Sequence, residues 1–219
     1  MIYALGIGPG DPQLLPLKSL EILKKADVIS GFETVLNYAK PNLSASAKLV
    51  SLNYKNQKEK LKEVGIMSRA GKVCVFCFMG DLNFSGYDFL NNIKTYCEDP
   101  DPVKILGISS AQIAATRASV PFEDSIFTTF HKAGDVEKDK KFLVHALKLG
   151  KSAIIIPRPW DFMPAEICKY LVDENLPPEI PVHIFEHLTL DNEKSYKTTL
   201  GECSGSYSDM SIIALQNIL

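Results

Sequence analysis

No charge sign dominates this 219-residue sequence, which carries 24 lysine and arginine residues against 26 aspartate and glutamate residues. The formal net charge of −2 provides no chain-wide basic surface for nucleic acid or an anionic membrane, although it does not exclude a local basic patch. Long hydrophobic runs are absent too, since no apolar segment approaches the roughly 18 residues that a membrane span needs. We therefore predict a protein that binds neither nucleic acid nor a membrane.

Export signals are also missing, because MIYALGIGPGD has no basic stretch before its short apolar run. The start predicts a first strand, and cytoplasm is the expected compartment. Five cysteines, an odd number with irregular spacing, predict reduced thiols without a disulfide framework. Cys74 and Cys77 match CxxC inside an apolar run, whose period-two alternation points their side chains to opposite faces. We expect buried, unreactive thiols rather than a redox pair.

Metal-ligand spacing is lacking among the four histidines, none of which belongs to an HExxH motif. We expect no metal ion bound by the protein. His131 follows a predicted strand, where it either faces a crevice or is solvated.

Apolar runs alternate with amphipathic stretches along the whole chain, and 46% of the residues are hydrophobic. Such alternation predicts βαβ units and a parallel sheet before residue 120. The final connections are too short for helical crossovers, which favours antiparallel pairing near the C-terminal end. The predicted strands are 2–7, 27–30, 49–52, 72–79, 103–107, 125–130, 152–156, 182–185, 197–200 and 210–215.

The helices between these strands complete the predicted fold, which is α/β. A change of character after Val120 divides the chain into an N-terminal domain, 1–119, and a C-terminal domain, 120–219. We expect each domain to contain a mixed or mostly parallel sheet flanked by helices. The predicted helices are 17–26, 32–39, a lysine-rich stretch ending at 69, 85–97, 109–119, 137–149 and 164–175.

Two glycine-bearing segments, GIGPGD from Gly6 and GDLNFSG from Gly80, each follow an apolar run. The carboxyl ends of strands are where open α/β sheets bind ligands. GIGPGD has the first two glycines of GxGxxG but Asp11 in place of the third, so it is weak as a nicotinamide site and also fits a plain strand-to-helix turn. GDLNFSG lacks the GK[ST] ending of a P-loop, and Asp81 can accept hydrogen bonds from a ribose or from loop amides.

A third segment, GISSAQIAATR, follows the predicted strand 103–107. Ser109 or Ser110 can cap the next helix, and its alanines permit tight packing. The three segments together predict one crevice at the strand ends.

In this order, the three segments resemble the tetrapyrrole (corrin and porphyrin) methylase family, which uses S-adenosylmethionine. The likeness spans the chain and implies a two-domain fold with the active site in a cleft between the domains. PFEDSIFTTFH, PRPWDFMPAEI and FEHLTLDNEKSYKTTLGEC are similar to the branch that methylates carbon 5 of a cobalt-precorrin in cobalamin synthesis. We expect no fused carbon-15 methylating half. Leu82 and Leu106 replace prolines of the family pattern but leave its glycine and serine positions intact.

The resemblance also implies where the methyl donor is held, largely by backbone groups, and it assigns no catalytic side chain. Ser109 also fits a plain helix cap, and Phe84 and Met210 also fit ordinary core. The matching donor-binding positions are Pro9, Gly80, Asp81, Phe84, Ser109 and Ser110, and, from the second domain, Pro157, His187 and Met210.

Only three arginines occur in the sequence. A carboxylate-rich tetrapyrrole suits bidentate guanidinium contacts, so we hypothesise that Arg117, Arg158 or both bind the substrate and that Arg69 stays on the surface. Structural ion pairs are the competing explanation for Arg117 and Arg158.

Related enzymes are dimers, so a homodimer is expected, with a separate carbon-15 methyltransferase and decarboxylase as a functional partner. Three alternatives stay open: uroporphyrinogen-III methylase and diphthine synthase within the family, and a non-catalytic nucleotide-binding module outside it.

Overall fold

The computed structural model describes residues 1–216, which form two compact units, Met1–Ser109 and the residues from Ser110 onward. Each unit contains a five-stranded sheet with helices packed on it, which confirms the predicted α/β class. No helix within these residues is both long and apolar enough to cross a lipid bilayer.

The first unit contains five strands and four α-helices, and the helix that follows them begins the second unit. Its sheet has the strand order β3-β2-β4-β1-β5, and every pairing is parallel, as predicted. The elements are β1 (Ile2–Gly6), α1 (Leu17–Leu23), β2 (Val28–Phe32), α2 (Glu33–Ala39), β3 (Lys48–Leu52), α3 (Gln57–Arg69), β4 (Cys74–Phe78), α4 (Tyr87–Tyr96), β5 (Val103–Ile105) and the boundary helix α5 (Ser110–Ala118).

Helices cover both faces of this first sheet. Residues of α1 and α2 pack with one set of strand side chains, and residues of α3 and α4 pack with the other set. Strand β4 lies in the middle and is buried at all five positions. This explains why its sequence is a continuous apolar run rather than an alternating one.

The second unit has a mixed sheet in the order β6-β7-β10-β8-β9. Strands β6 and β7 pair in parallel, whereas β10 pairs antiparallel with both β7 and β8, and β8 pairs antiparallel with β9. The antiparallel pairing expected near the C-terminal end is therefore confirmed. The elements are β6 (Ser125–Thr129), α6 (Glu137–Lys148), β7 (Ser152–Ile156), α7 (Pro164–Asp173), β8 (Pro181–Glu186), β9 (Lys194–Thr199) and β10 (Ser211–Leu215).

Helix α5 packs against β10 and β7 of the second sheet. Its small buried residues Ala111, Ala114 and Ala115 allow the helix to approach the strands closely. The compact units consequently divide in sequence between Ser109 and Ser110, whereas the sequence analysis placed the change of domain after residue 119.

All five cysteines are free thiols, and four of them are buried. Cys74 packs with α3 and α4 while Cys77 packs with α1 and α2, so the CxxC pair does point to opposite faces. Burial raises the pKa of Cys77 and of Cys97 to about 12. Cys203 differs, because it is half-buried and the Cys168 thiol donates a hydrogen bond that lowers its pKa.

We expect an alkylating reagent to label Cys203 first, because the thiolate is the nucleophile and only Cys203 has a lowered pKa. At about pH 8, a thiol with a pKa of about 12 is ionised in only about one molecule in ten thousand. Mass spectrometry after timed labelling of the folded protein measures this. Cys203→Ser should remove the rapid phase, and labelling of Cys77 at the rate of Cys203 would contradict the assignment.

Candidate functional site

Three loops of the first unit converge where β4, β1 and β5 end. These strands are neighbours in the sheet, so their parallel carboxyl ends share one edge. Gly8 and Gly80 join the first two loops through a pair of backbone hydrogen bonds: the Gly8 amide donates to the Gly80 carbonyl at 3.2 Å, and the Gly80 amide donates to the Gly8 carbonyl at 2.7 Å. The crevice predicted from the three segments thus has its loops in contact.

The third loop approaches so closely that it requires glycine. A Cβ atom on Gly107 would lie 2.1 Å from the Gly80 carbonyl oxygen and 2.8 Å from the Gly6 Cα atom. A Cβ atom on Gly6 would in turn lie 2.5 Å from the Gly107 nitrogen. Since these neighbours are backbone atoms, no side-chain rotation relieves the overlap. The glycines therefore fix how close the three loops come.

Asp81 fastens two of these loops with its carboxylate. Its Oδ2 atom accepts a hydrogen bond from the Gly107 amide at 2.8 Å, and its Oδ1 atom accepts one from the Asn83 amide at 2.8 Å. Of the two partners predicted for Asp81, the structure shows loop amides. We call this arrangement the Asp81 clasp.

The other predicted donor-binding residues of this edge differ in exposure. Pro9 and Gly80 are buried within the loops, and Phe84 is half-buried. Ser109 is also buried, and because α5 begins at Ser110 it occupies the N-cap position of that helix. Their roles in donor binding stay predictions.

The predicted donor-binding residues of the second unit lie together at one end of its sheet. Pro157 follows β7, His187 follows β8, and Met210 precedes β10, which runs antiparallel to both strands. The His187 amide donates to the Met210 carbonyl at 3.0 Å. His187 has a φ of 50°, in the left-handed region that residues with a Cβ atom seldom adopt. A strained backbone at this position is typical of functional loops.

Glu193 holds the loop that begins at His187. One carboxylate oxygen accepts from the Thr189 amide at 2.6 Å, and the other pairs with the Arg117 guanidinium. Buried Glu186, just before the loop, accepts from Tyr196 at 3.1 Å and from the Ser208 amide at 2.6 Å. Arg117 thus makes the structural ion pair that the sequence analysis weighed against substrate binding.

Arg158 is held mainly by its own loop. Its Nη2 atom donates to Asp161 at 2.8 Å, its Nε atom donates to the same carboxylate, and its Nη1 atom donates to the Gly134 carbonyl at 3.0 Å. Substrate binding by Arg158 stays a prediction, but a substrate carboxylate would have to share the guanidinium with Asp161.

An exposed aromatic residue, Trp160, which the sequence analysis did not mark as a site residue, lies beside Arg158. Trp160, 60% exposed, lies 5.7 Å from the Arg158 guanidinium carbon and 6.0 Å from the His131 ring, measured from its ring centroid. Partial burial lowers the pKa of His131, and nearby Asp209 opposes the shift. Because these residues follow β6 and β7 or precede β10, they share the sheet end of Pro157 and Met210. We call His131, Arg158, Trp160 and Asp209 the Trp160 rim.

The sequence contained one signal for this rim, which is the only tryptophan of the chain, four residues after a predicted strand. Within residues 1–216, no group of three or more His, Cys, Asp and Glu side chains is arranged to hold a metal ion. The loops of the first unit therefore offer backbone groups, and the sheet end of the second unit offers an aromatic face and single charged side chains.

Comparison with known proteins agrees with this architecture. A family model described as Tetrapyrrole (Corrin/Porphyrin) Methylases matches residues 1–204. The chain is 30% identical, over 97% of its length and 96% of the relative's, to a probable cobalt-precorrin-7 C(5)-methyltransferase from Methanocaldococcus jannaschii.

Solved structures share the fold at lower sequence identity. The methyltransferase CobJ matches with a TM-score of 0.82 and 16% identity, covering 99% of this chain and 94% of that one. A precorrin-6Y methylase from Archaeoglobus fulgidus matches with a TM-score of 0.70 and 18% identity, covering 100% and 98%.

The resemblance seen in the three glycine-bearing segments is thereby confirmed. The matched region includes all three segments and every predicted donor-binding residue except Met210, which lies beyond residue 204. The chain belongs to the tetrapyrrole (corrin/porphyrin) methylases and is an S-adenosylmethionine-dependent C-methyltransferase.

Proposed function

We propose that this protein transfers a methyl group from S-adenosylmethionine to carbon 5 of cobalt-precorrin-7. The observation that carries the proposal is the glycine-lined convergence of the three loops, closed by the Asp81 clasp, in a chain similar over almost its whole length to a probable enzyme of that reaction. Cobalt belongs to the substrate and needs no site in the protein.

The converging loops fit a ligand that is held by backbone groups. At Gly6, Gly80 and Gly107 the loops lie backbone against backbone with no side chain between them, so a ligand bound along these loops meets main-chain groups rather than side chains. When bound, S-adenosylmethionine supplies an electrophilic methyl group on a sulfonium sulfur. The loops then have to hold this group in line with the attacking carbon, and correct positioning alone contributes up to about 7 to 11 kcal/mol.

The Trp160 rim fits a broad, flat, anionic ring. An exposed indole offers a face for stacking, and Arg158 and His131 supply positive charge or hydrogen-bond donors beside it. Asp161 already neutralises part of the Arg158 charge, so we expect the indole to contribute more to binding than the guanidinium.

The direct test is incubation of the protein with cobalt-precorrin-7 and methyl-labelled S-adenosylmethionine, with uroporphyrinogen III as the comparison substrate. We expect label in carbon 5 of the corrin and none in uroporphyrinogen III. Methylation of uroporphyrinogen III alone would transfer the assignment to that branch. Calorimetry with NAD is the control for the donor, and binding of NAD without S-adenosylmethionine would refute the methylase mechanism.

Replacing Trp160 with alanine should raise the KM for the tetrapyrrole about tenfold, the usual cost of losing one stacked aromatic contact. The KM for S-adenosylmethionine should change less than the KM for the tetrapyrrole, because in this proposal the converging loops of the first unit, rather than the indole, hold the donor. Tyr54→Ala is the matched control, since Tyr54 is 85% exposed and lies outside the rim. Equal tetrapyrrole KM values for Trp160→Ala and the unaltered protein would remove the rim from the substrate site.

The assembly and location of the enzyme follow from the same proposal. We infer a cytoplasmic homodimer that works beside a separate carbon-15 methyltransferase and decarboxylase. Light scattering coupled to size-exclusion chromatography measures the oligomeric state, and a mass near 24.3 kDa would show a monomer instead.

A further inference from the structure

A cavity of about 360 Å3 lies in the second unit, between the end of α5 and the strands β8, β9 and β10. This volume is at the lower end of the range for small-molecule sites. The polar residues that line it are Arg117, Ser119, His183, Lys197, Thr198 and Gln216.

The strand register explains both the cavity and the positive charge of the residues that line it. Ala214, His183 and Lys197 are direct neighbours across β10, β8 and β9, so their side chains project from the same face of the sheet. On that face the next pair along β10 and β8 is Ile212 and Phe185, whose side chains are much larger than Ala214. The short alanine side chain therefore leaves room beside two basic neighbours.

Positive charge is concentrated around the cavity. Partial burial lowers the pKa of His183, and the positive charges of Lys197, which lies directly across from it, and of Arg117 lower it further. Within residues 1–216, no carboxylate forms an ion pair with Lys197, and Glu193 offsets only Arg117.

The helix end beside the cavity does not cancel this charge. The amides of Ser119 and Val120 donate to the carbonyls of Thr116 and Ala115, at 3.2 and 2.9 Å, and so satisfy two of the acceptors that a helix end exposes. Ser119 adopts the left-handed conformation, φ 55°, that closes a helix in this way. Ser119, Thr198 and Gln216, which also line the cavity, add polar groups at its wall.

The cavity lies at the far end of β8 from the predicted donor-binding residues of this unit. At the cavity end the Gln216 amide donates to the Pro181 carbonyl at 3.1 Å, and at the other end the His187 amide donates to the Met210 carbonyl at 3.0 Å. The six residue steps from Pro181 to His187 correspond to roughly 20 Å of strand. The Pro181 end of the cavity is therefore separate from His187 and Met210.

We propose that this basic cavity is a second ligand site, which binds a small multivalent oxyanion carrying phosphate or carboxylate groups. Arg117 and Lys197 supply the charge, His183 adds an imidazole whose Nε2 atom is hydrogen-bonded to Ser195 at 2.7 Å, and the neutral polar groups orient the oxygen atoms. A cation is disfavoured because no aspartate or glutamate is among the described residues that line the cavity, and Glu193, which pairs with the lining residue Arg117, is already engaged. An apolar ligand would bury the Lys197 ammonium without a partner.

The test is calorimetry of the full chain with inorganic phosphate and, separately, with citrate. We expect saturable binding with one ligand per chain, and the tighter of the two probes identifies whether phosphate or carboxylate chemistry is preferred. Lys197→Ala should weaken the preferred probe about tenfold, the usual cost of one charge-assisted contact.

Lys194→Ala is the matched control, because Lys194 is an exposed lysine of the same strand that projects from the opposite face. It should change the affinity less than about twofold. Lys197→Gln provides a second variant if the alanine variant does not fold. Absence of saturable binding of both probes, or an equal loss in the Lys194 variant, would overturn the proposal.

A separate measurement distinguishes failure of this proposal from failure of the proposed function. S-adenosylmethionine affinity should be unchanged in Lys197→Ala, whether or not the corrin assay succeeds. A parallel loss of donor affinity would show that the cavity is not an independent site.

Discussion

Replacing Gly107 with alanine is expected to lower the affinity for S-adenosylmethionine by at least about a hundredfold, because small displacements of a binding loop have effects of that size. The new Cβ atom would lie 2.1 Å from the Gly80 carbonyl oxygen, which is far inside van der Waals contact. The loop that follows β5 has to move away from both Gly80 and Gly6. The backbone groups of this loop, which bind the donor in the proposal, move with it. Calorimetric titration of the folded variant with S-adenosylmethionine measures the effect.

Stability should fall in the same variant, by about 1 to 3 kcal/mol, as is usual for overpacked positions. Gly71→Ala is the control within the first unit. A Cβ atom there meets nothing within 4 Å, but the φ of 89° strains the backbone. That variant should lose about 1 to 2 kcal/mol of stability and keep its donor affinity. Donor affinity in Gly107→Ala equal to that of Gly71→Ala would show that loop convergence does not govern donor binding.

Hydrophobic patterning was sufficient to predict the elements of both sheets, because buried strands leave continuous apolar runs. The segment 72–79 is one example, since β4 within it is buried at every position. The hydrophobic pattern was less informative for strands whose residues are exposed. Strand β9 begins at Lys194, three residues before the predicted start. The prediction missed these residues because the first four residues of the strand are exposed and include two lysines. Charged residues on an edge strand of this kind prevent its pairing with another chain, and they also interrupt the hydrophobic pattern by which a strand is predicted.

Contacts between residues that lie far apart in the sequence could not be predicted from the sequence. The small residues of α5 predicted tight packing, but nothing local showed that the helix packs on β7 and β10. For Arg117 and Arg158, residue type indicated carboxylate binding, and the structure supplies the carboxylates from Glu193 and Asp161. Both ion pairs depend on loop conformations that the chain adopts only after folding. The same holds for the Trp160 rim, whose members come from three separate loops.

Asp81 was predicted with two alternative partners, and the structure shows the loop amides of Gly107 and Asn83. Asp81→Asn should therefore reduce kcat/KM for methyl transfer by about ten- to a hundredfold, because one amide is left facing an NH2 group and an unsatisfied donor costs about 1 to 3 kcal/mol. We expect most of the change in the KM for S-adenosylmethionine, with the tetrapyrrole KM nearly unaltered. Steady-state kinetics with each substrate varied in turn separate the two constants.

The melting temperature decides between a clasp and a direct contact with the donor. Loss of the clasp frees the β5 loop, so donor affinity and melting temperature should fall together in Asp81→Asn. A carboxylate that only bound the ribose would lower donor affinity and leave the melting temperature of the ligand-free protein unchanged. Asp99→Asn is the control, because Asp99 accepts from the Asp101 amide at 3.2 Å in an exposed turn away from the three loops. Equal melting temperatures for Asp81→Asn and Asp99→Asn would therefore reject the clasp as the reason that Asp81 matters.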